Sequence, residues 1–252
     1  TPLSILYLHG FSATSEEIRP VPDRVAAALG ANLIYARLSG HGRDGDALAA
    51  ARASDWADDA ALFLDLARAA GEQVLIMGTS TGATLAAYAM TEPDMAEDVV
   101  GLVMVSPNFR VVNPSAVITE LAFARQIVPL LAGEERAWEA LNEGHGHYWT
   151  TRYGTGALIS LGTLMRDART RDYSGVQAPV LAIFSDRDQV VSAEATRMFL
   201  AGWGGPVTLA PQDLPETGAD PYFHVIAGDI LSPAMTAPVA ETILEWLAEI
   251  LP

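Results

Sequence analysis

Val74-Leu75-Ile76-Met77-Gly78-Thr79-Ser80-Thr81-Gly82-Ala83-Thr84-Leu85-Ala86-Ala87-Tyr88-Ala89-Met90 is the stretch whose reading decides the fold. An apolar run short enough for a buried strand leads into Gly-x-Ser-x-Gly, and an alanine-rich run of good helix formers follows. Strand, sharp turn and helix are therefore expected in succession, with Ser80 at the turn. Glycines on both sides let strand and helix approach closely, and the compressed backbone leaves the serine strained and exposed, placed to attack rather than to pack. The competing reading is a serine that caps the following helix. In a chain with 21 glycines among 252 residues the pentapeptide alone is only suggestive, so its surroundings must decide.

Outward from this stretch, strand-like runs recur at 4–8, 32–38, 73–77, 99–105, 180–184 and 207–210. Helical patterns lie between most of them, such as 55–70, where Trp56, Ala60, Phe63 and Ala67 recur at helical spacing. Strands alternating with helices predict an α/β fold with a mostly parallel, doubly wound sheet. A final amphipathic helix over 234–251 is expected to cover the sheet with Ile243, Trp246 and Leu247. One connection is too long. About 70 residues separate Pro107 from Pro179, whereas a crossover needs only ~10–20 beyond its strands. The inserted segment carries helical patterns at 116–131, 134–141 and 156–166 and an aromatic group, Trp138, Tyr148, Trp149 and Tyr153.

Further chemistry sits where the sheet would gather it. The run 180–184 ends in Ser185-Asp186-Arg187-Asp188-Gln189-Val190-Val191, which supplies carboxylates at a strand's carboxyl end, where open α/β sheets keep their sites. His224 follows on a loop before the last helix, giving the chain order Ser, Asp, His. A serine hydroxyl needs a neighbouring base, and that base needs an acid to hold its tautomer. His9 and His41, both beside glycines, fit better as braces of their loops. His145 and His147 have metal-ligand spacing but no third ligand nearby, and are expected in a solvated or packed loop, with no metal bound.

Together, Leu8-His9-Gly10-Phe11, Gly40-His41-Gly42, Gly78 to Gly82, Phe184 to Val191 and His224 make the chain resemble the α/β-hydrolase superfamily, within it the serine esterases and lipases such as carboxylesterases and monoacylglycerol-lipase-like enzymes. The resemblance implies a triad of Ser80 as nucleophile, His224 as base and Asp188 as acid. Asp188 is preferred to Asp186 because it stands two residues before the apolar pair Val190-Val191, the family's spacing. Backbone N–H groups of Phe11 and Thr81 would form the oxyanion hole. Residues 1–107 and 178–252 would form the hydrolase core, and 108–177 a helical cap whose aromatics Trp138, Tyr148, Trp149 and Tyr153 wall the substrate pocket. Members usually begin with an antiparallel hairpin that is missing here, so either a shorter sheet or a trimmed N-terminus is expected. The implied activity is hydrolysis of small-molecule carboxylic esters through an acyl-enzyme, without metal or organic cofactor. Two alternatives are a C–C bond hydrolase of the meta-cleavage type using the same triad, and a ligand-binding protein on a hydrolase fold.

Composition narrows the field. The chain has 15 basic and 31 acidic residues, a formal charge of −16, which repels phosphate backbones and anionic membranes, so nucleic acid is an unsuitable partner. Every basic residue is arginine and no cysteine is present, which excludes lysine Schiff-base chemistry, thiol nucleophiles and disulfides. No apolar run approaches the ~18 residues of a membrane span. A soluble, cytoplasmic protein is expected; the missing initiator methionine leaves a removed export signal open.

Overall fold

The computed structural model describes residues 2–251; Thr1 and Pro252, the outermost residues of the expected core, lie outside the described residues. Six strands form one sheet: β1 (Leu3–Leu8), β2 (Asn32–Tyr35), β3 (Gln73–Thr79), β4 (Val99–Val105), then, beyond the two short strands β5 (Glu135–Ala137) and β6 (Arg152–Gly154), β7 (Val180–Phe184) and β8 (Val207–Pro211). Their order is β2-β1-β3-β4-β7-β8 and every pairing is parallel. The expected α/β, doubly wound parallel sheet is therefore what the chain forms.

Helices cover both faces: α1 (Val21–Leu29), α2 (Gly45–Ala50), α3 (Ala53–Ala70), α4 (Thr81–Ala89), α5 (Pro93–Ala96), α6 (Ala124–Ala132), α7 (Glu143–Tyr148), α8 (Gly156–Thr170), α9 (Ala193–Leu200) and α10 (Thr236–Ile250). Because successive strand residues point to opposite faces, each strand feeds two cores. Leu6, Leu8, Val74, Ile76, Leu102 and Met104 pack with Trp56 and Leu64 of α3 and Leu85 of α4. Ile5, Leu75, Met77, Val103 and Leu181 pack with Val25 of α1 and Ile243, Trp246 and Leu247 of α10. The central strands are buried on both sides, which explains why they read as continuous apolar runs. No helix of the described residues is long and apolar enough to cross a membrane.

The chain moves from β1 outward to β2 and then returns to the other side of β1 as β3. The direction of travel thus reverses between β1 and β3. The turns beyond the carboxyl ends of these two strands carry His9-Gly10-Phe11 and Ser80 and lie side by side at this switch point, where open α/β sheets place their sites.

Four expectations are corrected. The second strand ends at Tyr35 rather than at 38, because Leu38 donates its N–H to the His9 ring (3.1 Å) instead of to a strand. The helix expected over 116–131 is divided into a 3-10 turn, Pro114–Glu120, and α6, with Phe123 between them at φ 63°. The 3-10 turn lies flush on α8 at Gly162, where a side chain would collide with Thr119. The helix expected over 134–141 is instead β5, paired antiparallel with β6 through Arg136 opposite Tyr153. His145 and His147 lie on α7 rather than in a loop.

Candidate active site

Ser80 joins β3 to α4 with φ 52° and ψ −114°, a backbone conformation that L-residues rarely adopt. The strain is held from both sides. Ser80 N–H donates to the Val105 carbonyl (2.8 Å) and its own carbonyl accepts from Asn108 N–H (3.2 Å). Gly82 is needed because a Cβ there would lie 2.0 Å from the Leu8 carbonyl oxygen, so α4 seats directly on the end of β1. The Ser80 side chain makes no capping bond to α4, which removes the helix-cap reading.

Its hydroxyl faces His224. Oγ lies 3.1 Å from His224 Nε2, and His224 Nδ1 lies 2.8 Å from Asp188 Oδ2. Asp188 is locked by its second oxygen, Oδ1, which accepts from Val190 N–H (2.7 Å) and Val191 N–H (2.9 Å). The apolar pair two residues on is therefore the segment whose amides orient the acid. Asp186 points elsewhere and pairs with Arg197 at 2.5 and 3.0 Å, which holds its carboxyl below the usual range. The Asp188 side chain is 1 % exposed and that of His224 13 %. Burial alone would lower the His224 pKa, but the charge and hydrogen bond of Asp188, with the charges of Asp220 and Glu17, outweigh it and hold the imidazole above its ordinary 6.5.

Two residues that sequence reasoning passed over fix the histidine loop. Asp220 Oδ2 accepts the backbone N–H of His224 (3.0 Å) and of Val225 (2.9 Å), and Ser106 Oγ donates to the His224 carbonyl (2.6 Å). The Asp220-Pro221 dipeptide was a readable signal for such a turn. Nothing in the sequence marked Ser106.

Phe11 and Thr81 lie on the turns after β1 and β3, and among the described residues neither backbone N–H donates to a protein acceptor. Thr81 is also the first residue of α4, so the helix dipole adds positive potential there. His9 spans the turn: Nδ1 lies 2.9 Å from the Gly10 carbonyl, and Nε2 accepts from Leu38. With Nδ1 donating and Nε2 accepting, the ring is neutral, and burial lowers its pKa to about 4. The His41 ring packs against those of His9, Phe11 and Trp56, and burial with the charge of His9 lowers its pKa to about 3.

The inserted aromatics divide. Trp149 is buried with Ala13, Val225 and Leu231, and Trp138 packs on the same group, so both lie between the first loop and the histidine loop. Tyr153 is buried on Leu48 and meets Phe11 edge-on, with ring centres 5.4 Å apart. Tyr148 is not brought to this group; it is exposed and meets the His147 ring edge-on. The His145 ring is sandwiched between Trp138 and Trp149, each 4.7 Å away. No group of three His, Asp or Glu residues that could hold a metal ion occurs among the described residues.

The missed acid is Glu17. It is 2 % exposed and accepts from Gly10 N–H (2.5 Å) and Tyr7 O–H (2.8 Å). In sequence it is one of two adjacent glutamates, and only burial separates it from Glu16, which pairs with Arg19 at the surface.

The family model described as serine aminopeptidase, S33, matches residues 3–209. A comparison with curated proteins returns no match. Among solved structures the chain is similar to that reported for LipS and LipT, two metagenome-derived lipolytic enzymes (20 % identity, 99 % of this chain and 94 % of the other, TM-score 0.81). It is also similar to a Paleococcus ferrophilus monoacylglycerol lipase (18 %, 97 % and 93 %, TM-score 0.72) and to Est1E from Butyrivibrio proteoclasticus with bound ferulic acid (18 %, 100 % and 90 %, TM-score 0.68). At these identities the likeness shows the fold.

Proposed function

The chain belongs to the serine aminopeptidase S33 family of α/β-hydrolases, and from that premise we propose that it is a serine hydrolase cleaving small-molecule carboxylic esters through an acyl-enzyme. The observation that carries this reading is the unbroken hydrogen-bonded line from Asp188 through His224 to a strained Ser80. The ester class is supported by the lipolytic and monoacylglycerol-lipase neighbours.

Ser80 Oγ attacks the ester carbonyl while His224 Nε2 takes its proton. Asp188 keeps the Nδ1–H tautomer and stabilises the imidazolium that forms. The tetrahedral oxygen is received by the N–H groups of Phe11 and Thr81, already oriented before substrate arrives, so little reorganisation is needed as charge develops. Collapse passes the proton from His224 to the leaving alcohol, and a water repeats the sequence on the acyl-serine. The segment 108–177 acts as a cap, with Trp138, Trp149 and Tyr153 on the side facing the two catalytic loops.

A fluorophosphonate tests the reading. It should label Ser80 alone, and Ser80→Ala should abolish labelling and lower kcat on a generic aryl ester by about 10⁴-fold or more. Labelling of another residue, or near-normal turnover by the variant, overturns it. Turnover confined to amino-acid amides would keep the nucleophile but replace the ester.

A further inference from the structure

A carboxylate buried beneath the nucleophile has no part in the mechanism above. Glu17 sits on the 3-10 turn Ser15–Glu17 with its side chain under the His-Gly turn. Its hydrogen bonds run in one direction: the Thr79 hydroxyl lies 2.8 Å from Tyr7 Oη, Tyr7 donates to Glu17 Oε1, and Gly10 N–H donates to the same oxygen. The second oxygen, Oε2, has no hydrogen-bond partner among the described residues. A Cβ placed on Gly10 would lie 2.8 Å from Oε2 and 3.3 Å from Ser80 Cβ. The missing side chain at Gly10 is therefore what lets the carboxyl group approach the nucleophile. Gly10 is the residue before Phe11, so the amide that Glu17 holds is adjacent to the amide proposed to receive the oxyanion.

We propose that Glu17 is a positioning residue for this site: its carboxyl group fixes the Gly10 amide, and through it the Phe11 N–H, while its charge tunes the proton affinity of His224. The proposal rests on the serine-hydrolase reading and goes beyond it. Burial pushes the Glu17 carboxyl up to about 7, against the pull of Gly10 N–H, Tyr7 O–H and the charge of His224. The group therefore changes charge near neutral pH, while the His224 imidazole is held above its ordinary 6.5.

The neighbourhood contains few rivals. Tyr7 on β1 is neutral, its pKa raised well above the ordinary value by burial and by Glu17. The charges acting on His224 are those of Asp188, Asp220 and Glu17, from the loop after β7, the loop of His224 itself and the turn Ser15–Glu17. Helix α7 packs on the Glu17 turn and carries Glu143, His145 and His147, none of them hydrogen-bonded to Glu17. Glu16 on the same turn is engaged by Arg19, and the Asp229 N–H donates to the Arg19 carbonyl nearby.

Two substitutions separate shape from charge. Glu17→Gln keeps an acceptor for Gly10 and Tyr7 but cannot ionise; Glu17→Ala removes both. An ionised Glu17 favours the imidazolium, so its loss should move the acidic limb of the pH profile to lower pH, by about half a unit to one unit for a neighbouring charge. The same charge repels the oxyanion, so the plateau kcat of Glu17→Gln should stay within about threefold of wild type. Glu17→Ala should lower kcat by about 10²-fold, the scale of losing one oxyanion donor, with KM little changed.

The experiment measures kcat and KM on an aryl ester, the rate of Ser80 phosphonylation from pH 5 to 9, and melting temperature for wild type and both variants. A limb shifted in Glu17→Gln, with kcat rescued relative to Glu17→Ala, supports the proposal. An unshifted limb in Glu17→Gln overturns the electrostatic role, and wild-type kcat in Glu17→Ala overturns the positioning role. Should Glu17→Ala melt below the assay temperature, a Glu17→Gln limb at the wild-type pH still overturns the electrostatic role, and a Glu17→Gln kcat lowered about 10²-fold at an unchanged melting temperature overturns the positioning role assigned to the acceptor oxygen. No labelling of Ser80 in the wild type would overturn the hydrolase reading and this role with it. Normal labelling with both variants unchanged overturns the role of Glu17 alone.

Discussion

Asp186 and Asp188 stand two residues apart on one loop, yet the fold gives them opposite tasks. Asp188 spends one oxygen on two amides and the other on His224, while Asp186 is tied to Arg197 at the surface. Asp188→Asn should therefore lower kcat by about 10³–10⁴-fold, because an amide favours the wrong histidine tautomer, whereas Asp186→Asn should leave kcat within a few-fold. Steady-state kinetics on both variants checks this, and the reverse ranking would exchange the assignments. The sign of the pH dependence follows from His224. In the proposed mechanism the reactive form is the neutral imidazole, and the imidazole pKa is held above 6.5, so protonation begins at a higher pH than for a free histidine. A profile of kcat/KM should fall with decreasing pH through a midpoint above 6.5 and flatten on the alkaline side; a midpoint well below 6 would contradict the environment described.

Among the elements, the inserted segment shows how tertiary contacts override a local pattern. The stretch 134–141 has helix-forming residues, but its backbone finds partners in Arg152–Gly154, and a two-stranded pair replaces the helix. That pairing delivers Tyr153 to Phe11, while the following α7 delivers Trp149 to the histidine loop. Truncations should therefore sort by position. In an ester series from acetate to decanoate, Trp149→Ala and Tyr153→Ala should change the preferred chain length, each methylene counting about 1–3 kcal/mol in a pocket. Tyr148→Ala, at an exposed ring that meets His147 edge-on, should alter neither the profile nor the melting temperature. If Trp149→Ala and Tyr153→Ala lower the melting temperature while the chain-length profile stays fixed, these rings pack the cap and do not read the substrate.

For the whole molecule, a formal charge of −16 on 252 residues implies self-repulsion in the compact state. Salt screens it over a Debye length of about 10 Å at 0.1 M. The melting temperature should consequently rise as sodium chloride is increased from about 10 mM to 0.5 M, and a flat or falling dependence would show that local ion pairs such as Arg169 with Glu120 outweigh the net charge. By itself the sequence determined the sheet and the turn at Ser80, because strand periodicity, glycine spacing and the run of apolar residues are local properties that leave one economical solution. It also placed Ser80 and Asp188 just beyond the carboxyl ends of parallel strands and His224 on the loop before the last helix, since chain order and strand direction are readable locally. Only the tertiary structure decided which of two adjacent glutamates is buried, that Asp220 holds the histidine loop, and that 134–141 pairs as a strand. Each of these depends on partners far away in the chain, Gly10 and Tyr7 for Glu17, the His224 backbone for Asp220 and residues 152–154 for the strand, and a desolvated contact leaves no mark in local residue pattern.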